Sequence, residues 1–386
     1  MILPVETSEV AGGSAGPLEG LRVLEMAGLA PVPFGAMMLA DLGAQVLRID
    51  RASGYAPPPG PLDRGKESIT VDLKSEAGAG LIRELAAGAD VFLEGYRPGV
   101  AERLGIGPEQ LLQLNPRLIY GRMTGWGQDG PLAARAGHDI NYIGLSGVLD
   151  LIGRRGERPV PPVNIMGDFA GGGMLLAFGV LSALYERERS GRGQVVDAAM
   201  VDGSSLLSTF LHGLRADGLW ERERGDNMLD GGAAYYDTYE TSDGKHMAVG
   251  AVEPEFFFQL TAILEIDDED LGFQIDPTTW PAWRERLAAV FRTKTRDEWA
   301  EIFADVDACV SPVLSPWEAH DHPHNIARSA FIDVGGVRQP APAPRFDRTP
   351  TATPRPLNHR GTDPADILAA WGVEAGNYFG TGTGLK

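Results

Sequence analysis

The sequence predicts an α/β protein with a Rossmann-like large domain and a smaller α+β domain. Three observations support this prediction. Short apolar runs alternate with amphipathic helical segments through the first third of the chain, the connections between them are short, and turn-rich β segments replace this alternation from about Trp220. Such alternation is typical of a mostly parallel sheet with helices on both faces.

The elements of the large domain follow one another along the chain. Each predicted strand is a short apolar run, and these runs are Leu21–Met26, Gln45–Ile49, Asp90–Leu93 and Arg117–Met123. Each predicted helix shows helical spacing of apolar residues or an early proline, and these segments are Pro33–Leu42, Ala77–Ala87 and Pro108–Leu114.

A charge-free segment, Phe169–Tyr185, follows these elements. A helix that spans a membrane needs about 20 apolar residues, more than this segment offers, and the segment also contains four glycines. It is therefore predicted to be a buried core helix rather than a membrane span.

The second domain begins with turn signals around two β-rich runs, Tyr235–Thr241 and Lys245–Val249, and continues with helices predicted at Trp280–Phe291 and Arg296–Val306. The proline-rich stretch Gln339–Pro356 is predicted to be extended, because proline cannot continue a helix. The N-terminal residues and the glycine-rich end from Gly380 are expected to be a short leader and a disordered tail.

Charge and cysteine content exclude several classes of function. The 34 Lys and Arg residues against 53 Asp and Glu residues give a net charge of −19, so a nucleic-acid backbone would be repelled, and an anionic ligand would need a local basic pocket. The single cysteine, Cys309, excludes an internal disulfide and a cysteine-based zinc site. It fits a reducing compartment, and a cytoplasmic location is expected.

Three familiar motifs occur in surroundings that do not support their usual functions. Ala27–Gly35 follows the first strand with the wrong glycine spacing and with two prolines, which disfavours a nicotinamide cofactor. A Gly-x-Ser-x-Gly match at Gly12–Gly16 lies in the leader, without the strand and helix that a nucleophile requires. The run His320–His324 is interpreted as a polar loop, and no metal site is predicted.

Three residues carry acid–base chemistry in more informative surroundings. His138 follows a glycine-rich turn region, Asp168 opens the long apolar helix, and Glu253 precedes a proline that can start a helix. Taken singly, each has a structural interpretation: a core histidine, a helix N-cap and a surface acid. The residues alone leave these alternatives open.

Several sequence runs lift this ambiguity together, and they extend from Gly16 to about Pro356. They are Gly16–Glu25, Leu39–Ala44, Arg48–Arg51, Val71–Lys74, Glu94–Val100, Gly137–Tyr142, Gly167–Gly173 and Gly191–Met200. In this order and spacing the chain resembles the class III CoA-transferase superfamily (CaiB/BaiF type), and within it the α-methylacyl-CoA racemases. The resemblance implies a homodimer of interlocked rings. It also implies a large CoA-binding domain of residues 1–200 with 330–386, a linker helix at 201–224 and a small domain at 225–325.

The resemblance implies a racemase that interconverts (R)- and (S)-2-methylacyl-CoA by 1,1-proton transfer through an enolate. His138 and Asp168 would serve opposite faces of the α carbon, and Glu253 would orient His138. The alternative within the same superfamily is a CoA-transferase in which Asp168 forms an acyl anhydride. The racemases keep the His, Asp and Glu set, which favours the first function. A CoA-sensing module without turnover is the third interpretation.

The resemblance also implies which residues bind the nucleotide end of the substrate. Its implied CoA-binding residues are Arg51, Arg64, Leu73, Lys74, Arg97, Arg103, Gly137, Asp139 and Tyr142. Glu67 departs from the basic residue that relatives usually carry there. The implied chemistry uses no metal and no cofactor besides the CoA of the substrate, and backbone amides at the glycine-rich start of the Asp168 helix are expected to hold the enolate oxygen. The expected pathway is branched-chain fatty acid or sterol side-chain oxidation.

Overall fold

A computed structural model describes residues 16–52, 59–266, 271–358 and 363–378. The chain packs as two units. The first contains the described residues of 1–143, 164–206 and 329–386, and the second contains those of 144–163 and 207–328. Residues 144–163 thus group with the second unit, although the sequence analysis expected them in the large domain. The predicted leader and glycine-rich tail lie outside the described residues.

The first unit is built on a six-stranded parallel sheet. Its strands are β1 (Arg22–Met26), β2 (Gln45–Arg51), β3 (Lys66–Val71), β4 (Val91–Glu94), β5 (Ile119–Thr124) and β6 (Gln194–Ala199). The strand order is β3-β2-β1-β4-β5-β6, with every neighbouring pair parallel. This is the order of a doubly wound dinucleotide-type fold, so the predicted fold class is confirmed.

Helices cover both faces of this sheet. In chain order they are α1 (Pro31–Asp41), α2 (Glu76–Ala87), α3 (Val100–Arg103), α4 (Pro108–Leu114), α5 (Asp139–Leu145), α6 (Leu175–Ser190) and α7 (Met200–Leu207). Successive strand residues point to opposite faces. Accordingly Leu24 and Phe92 pack with one core cluster, while Val23 and Leu93 pack with the other.

The long apolar helix begins earlier than its sequence suggests. A π-helical segment, Ile165–Met174, leads directly into α6. By length and composition alone, the combined helix Ile165–Ser190 is apolar enough to cross a membrane. Its Leu176 and Val180 are nevertheless buried in the core beside the sheet, as the prediction of a core helix requires, whereas Phe178 and Tyr185 are exposed.

Glycines let neighbouring helices approach this π-helical segment. A Cβ atom on Gly203 of α7 would lie 1.9 Å from the Gly171 carbonyl oxygen, and one on Gly173 would lie 2.5 Å from the Pro31 carbonyl oxygen. Both distances are far below van der Waals contact. The three-glycine run is therefore a packing requirement for the helix that carries Asp168.

The second unit has its own sheet and core. After α8 (Thr209–Ala216) come β7 (Tyr236–Glu240), β8 (His246–Gly250), α9 (Pro254–Ile263), α10 (Trp280–Phe291), α11 (Arg296–Phe303), β9 (Val310–Pro312) and α12 (Pro323–Ala327). The three strands pair antiparallel in the order β7-β8-β9. Trp283, Leu287 and Phe291 pack in the core under this sheet. The predicted α+β composition is confirmed.

The chain then returns to the first unit. It forms a hairpin of β10 (Phe331–Val334) and β11 (Val337–Pro340), and later α13 (Pro364–Ala370). Leu368 and Trp371 are buried in the same core cluster as Leu24 and Phe92. The C-terminal segment therefore completes the large unit. Residues 341–356 contain no helix or strand, as predicted for the proline-rich stretch.

Candidate active site

His138 lies immediately before α5, and its backbone is held at both ends. Its carbonyl oxygen accepts hydrogen bonds from the amides of Asn141 (2.8 Å) and Tyr142 (3.3 Å). Its own amide donates to Asn141 Oδ1 at 3.0 Å. The residue is exposed, so the structure does not support the alternative of a buried core histidine. A rigid helix start therefore presents an accessible imidazole.

Asp168 is half-buried in the first turn of the π-helical segment. The residue at the N-cap position is Asn164, so the N-cap interpretation of Asp168 is wrong. Instead, Asn164 Nδ2 donates to Asp168 Oδ2 at 2.9 Å. Asn164 was not among the predicted site residues, although a position four residues before Asp168 is a contact spacing on a helix.

Burial decides the protonation behaviour of Asp168. Desolvation raises the pKa of its carboxyl group most strongly, and the nearby charge of Asp139 raises it further. The Asn164 hydrogen bond and the His138 charge lower this pKa, but the net direction is upward. The pKa of Asp168 is therefore shifted in the direction that an acid–base group working near neutral pH requires.

This shift predicts a pH-dependent gain of stability in the Asp168→Asn variant. The raised pKa means that the folded state holds the proton more tightly than the unfolded chain, so wild-type stability falls as the pH rises through the two pKa values. The variant should melt about 1–3 °C higher at pH 7, with no gain below about pH 4, near the ordinary aspartate pKa. Thermal unfolding at both pH values tests this. Asp129→Asn, which changes an exposed aspartate, should show no gain, and an equal gain in both variants would contradict the prediction.

An aromatic pair supports the loop before α5. The rings of Trp126 and Tyr142 meet edge to face with their centroids 4.7 Å apart. Cβ atoms on Gly125 and Gly137 would lie 2.1 Å and 2.7 Å from the Tyr142 ring, so side chains at these two positions would displace it. Burial and the Asp168 charge raise the pKa of Tyr142, whereas Arg97 lowers it. Tyr142 therefore lies within the electrostatic reach of both Asp168 and Arg97.

The basic residues assigned to CoA occupy two kinds of environment. Arg51, Lys74, Arg97 and Arg103 are exposed, and the Arg51 guanidinium lies over the Tyr96 ring, 5.1 Å from its centroid. Leu73, two residues after the end of β3 and next to Lys74 in the chain, is buried. The four exposed cations lie at or after the carboxyl ends of the parallel strands, where ligands of doubly wound folds bind.

Arg64 is in a different situation, because its guanidinium is engaged inside the protein. Its Nη2 lies 2.6 Å from Asp41 Oδ2, and its Nη1 donates to Gln339 Oε1 at 2.8 Å and to the Pro340 carbonyl at 2.7 Å. Arg64 thereby ties the hairpin of β10 and β11 to α1. Glu67, which departs from the family pattern, is buried on β3.

Asp139 contacts the start of the π-helical segment that carries Asp168. It is buried, and its Oδ1 accepts hydrogen bonds from the amides of Gly167 and Asp168, each at 2.7 Å. The enolate oxygen was expected to be held by backbone amides at the glycine-rich start of this helix, without a choice of residues. Asp139 occupies two amides of this region, those of Gly167 and Asp168, and the expectation stays a prediction.

Glu253 belongs to the second unit, where it is the N-cap residue of α9 and is exposed. The carbonyls of the two residues before it, Ala251 and Val252, accept hydrogen bonds from Gln274 Nε2 at 2.7 Å and 2.9 Å. The chain that presents Glu253 is therefore fixed on both sides. The same unit holds a mostly apolar cavity of about 800 Å³ whose walls include Tyr236 and Cys309.

The histidine run at 320–324 offers no cation-binding geometry. Among residues 16–52, 59–266, 271–358 and 363–378, no group of three or more His, Cys, Asp or Glu side chains could hold a metal ion. His322 instead accepts a hydrogen bond from the His324 amide at 3.3 Å and caps α12.

A doubly wound sheet with an acid–base pair and cations at its carboxyl edge describes an enzyme for an anionic substrate. The model of CoA-transferase family III matches residues 18–363. The chain belongs to this family.

Known relatives and solved structures agree with this assignment. The chain is 50% identical over 334 residues to an alpha-methylacyl-CoA racemase of Mus musculus, with 86% of this chain and 87% of the relative covered. It is 49% identical over 338 residues to the alpha-methylacyl-CoA racemase of Homo sapiens, with the same coverage. The crystal structure of a CAIB/BAIF family protein from Brucella suis superposes with a TM-score of 0.77 at 29% identity, covering 92% of this chain and all of that one.

Proposed function

We propose that this protein is a racemase that interconverts (R)- and (S)-2-methylacyl-CoA thioesters. One observation carries the proposal: Asp139, the residue after His138, accepts a hydrogen bond from the Asp168 amide at 2.7 Å, so the two acid–base residues lie in one region of the first unit. Burial also raises the pKa of Asp168. Two different acid–base groups of this kind suit proton transfer at a carbon atom. Relatives named as racemases at 49–50% identity support the same reaction.

The proposed reaction moves one proton off the α carbon and another onto its opposite face. One group, as the free base, takes the α proton, and the electron pair left on carbon delocalises into the thioester carbonyl as an enolate. The other group, in its protonated form, then delivers a proton to the opposite face and is left as the free base. No net oxidation occurs. The thioester itself acidifies the proton, so the mechanism calls for no metal and no cofactor besides the CoA of the substrate.

We assign the nucleotide end of the substrate to the exposed cations Arg51, Lys74, Arg97 and Arg103. CoA carries several negative charges, while the chain carries a net charge of −19, so binding depends on such a local concentration of cations. Gly137, Tyr142 and Leu73 would line the path between this end and the acid–base pair. Arg64 would act indirectly, by fixing the backbone from within.

Glu253 is proposed to orient His138, as the family resemblance implies. A carboxylate beside an imidazole holds one ring tautomer and stabilises the imidazolium. The backbone before Glu253 is held by Gln274 at the start of α9, so the exposed carboxylate would be presented from a fixed point of the chain.

Solvent exchange at the α carbon tests the reaction. Either enantiomer of a 2-methylacyl-CoA is incubated with the enzyme in deuterated water, and the α proton is followed by NMR. We expect both enantiomers to exchange and to converge on the same mixture. Absence of exchange across several acyl chain lengths would overturn the proposal.

The family also contains CoA-transferases, and the same preparation separates the two reactions. A transferase would form a covalent acyl anhydride at Asp168, which hydroxylamine converts to a stable hydroxamate. We expect no such adduct. Hydroxamate at Asp168 without α-proton exchange would favour the transferase function, and CoA binding without either result would favour the sensing module.

Exposed apolar side chains support a homodimer. On the long helix Met174, Phe178 and Tyr185 are 50–71% exposed, and on α8 Phe210 is 65% exposed. Patches of this kind are typically covered by a partner. Phe178→Glu should shift the protein from dimer to monomer in light-scattering chromatography, whereas Phe273→Glu, at an exposed residue of the second unit, should leave the dimer intact. Equal mass for both variants would contradict the dimer surface.

A role in branched-chain fatty acid or sterol side-chain metabolism and a cytoplasmic location complete the proposal. The single cysteine, Cys309, is exposed and free, which suits a reducing compartment. Cell fractionation with an antibody tests the location.

A further inference from the structure

One carboxylate connects the two acid–base residues. Asp139 follows His138 in the chain and is the first residue of α5. Its Oδ1 accepts the amides of both Gly167 and Asp168 at 2.7 Å. The backbone amide of Asp168 is thus hydrogen-bonded to Asp139, and the residue just before Asp139, His138, carries the partner imidazole.

We infer that Asp139 is the positioning residue of the acid–base pair, and that its carboxylate sets the separation between His138 and Asp168. This inference rests on the proposed racemase function. It differs from the CoA contact that the family resemblance implies for Asp139, because it assigns the carboxylate to the protein rather than to the ligand.

The start of the Asp168 helix needs such an anchor. The first amides of any helix have no acceptor within the helix. Among the described residues, the N-cap residue Asn164 makes no capping bond with its side chain, which instead contacts Asp168. Asp139 therefore supplies the acceptor from a different element. Hydrogen bonds to a carboxylate are stronger than those to a neutral group, and two on one oxygen restrain the backbone in position and direction.

The glycine at position 167 leaves room for this contact. A Cβ atom on Gly167 would lie 2.6 Å from Asp139 Oδ1, so a side chain there would push the carboxylate away. Asp139 is also only 6% exposed. Burial at this level favours an internal role over a contact with a mobile ligand.

The same carboxylate acts on Asp168 electrostatically. The groups that face Asp168 are Asp139, whose charge raises its pKa, and His138 and Asn164, which lower it. Tyr142 also lies within reach of the Asp168 charge, next to Arg97. Removing the Asp139 charge while keeping its oxygen should lower the pKa of Asp168. The limb of the pH–rate profile that belongs to Asp168 should then move to lower pH.

Two variants separate positioning from ligand binding. Asp139→Ala removes the acceptor, so kcat should fall about 100-fold, the effect expected of a misplaced catalytic group, while KM changes less than twofold. Deuterium exchange of the backbone at Gly167 and Asp168, followed by mass spectrometry, should accelerate. Asp139→Asn keeps an acceptor oxygen, so this backbone should stay protected, kcat should fall less, and the pH profile should shift as described.

Several results would overturn the inference. A raised KM with unchanged kcat in Asp139→Ala would make Asp139 a CoA contact only. If Asp139→Ala does not fold, the Asp139→Asn variant decides: a pH–rate profile identical to that of the wild type would overturn the inference. A wild-type enzyme without α-proton exchange would overturn the proposed function and this role with it, whereas wild-type exchange with an unimpaired Asp139→Ala variant would overturn the positioning role alone.

Discussion

Replacing His138 with alanine is expected to slow interconversion of the two enantiomers by about 100- to 10,000-fold, the usual contribution of a general acid–base group. Proton exchange from one enantiomer should survive. Asp168 can still remove the proton on its own face and return a deuteron to the same face, but nothing delivers a proton to the other face. The variant should therefore exchange without racemising.

Asp168→Asn should show the mirror-image result, with exchange surviving only from the opposite enantiomer. NMR of the α proton together with chiral analysis of the acyl group measures both quantities. His324→Ala is the matched control, because His324 is exposed in the histidine run and should leave both rates unchanged. Loss of exchange from the same enantiomer in both active-site variants would contradict the two-base mechanism.

Replacing Lys66 with methionine is expected to destabilise the first unit by about 3–5 kcal/mol, the typical effect of removing one partner of a buried ion pair. Lys66 Nζ lies 2.7 Å from Glu25 Oε2, with both side chains fully buried. It also donates to the Pro33 carbonyl at 3.0 Å. Without the ammonium group, the Glu25 carboxylate is a buried charge. Desolvation already raises the pKa of Glu25, so the variant should bind a proton there.

Urea unfolding followed by circular dichroism measures the loss of stability. The double variant with Glu25→Leu should recover much of it, because no uncompensated charge remains. The control is Arg83→Ala, which breaks an ion pair with the exposed Glu76 and should cost less than about 1 kcal/mol. A similar small loss for Lys66→Met would show that the buried pair contributes no more than a surface one.

Two strands of the parallel sheet, β3 and β6, were not predicted, because neither forms a continuous apolar run in the sequence. β3 begins with Lys66 and Glu67, two charges that look like a loop in sequence but are buried in the sheet. β6 lies at the sheet edge, where Gln194 and Val195 are exposed, so it lacks the continuous apolar run of a central parallel strand. The strands in the middle of the sheet were predicted because both of their faces are buried.

The candidate site, too, could be predicted from the sequence only in part. His138, Asp168 and Glu253 were selected from residue type, local context and family resemblance, and their assignment stays a prediction. No local pattern indicated that Arg64 is engaged by Asp41, because the two residues lie 23 positions apart in the chain. The start of the Asp168 helix was placed too late for a related reason: a π-helical run of glycines lacks the apolar periodicity that marks a helix boundary.

The sequence by itself determined the doubly wound class, the longest helices and the central strands of the parallel sheet. These features depend on apolar periodicity, which neighbouring residues specify. Only the tertiary structure decided that Asp139 holds the backbone of Asp168. The physical reason is distance along the chain: a hydrogen bond between residues 29 positions apart leaves no periodic pattern, and it exists only once the sheet has brought α5 and the long helix together.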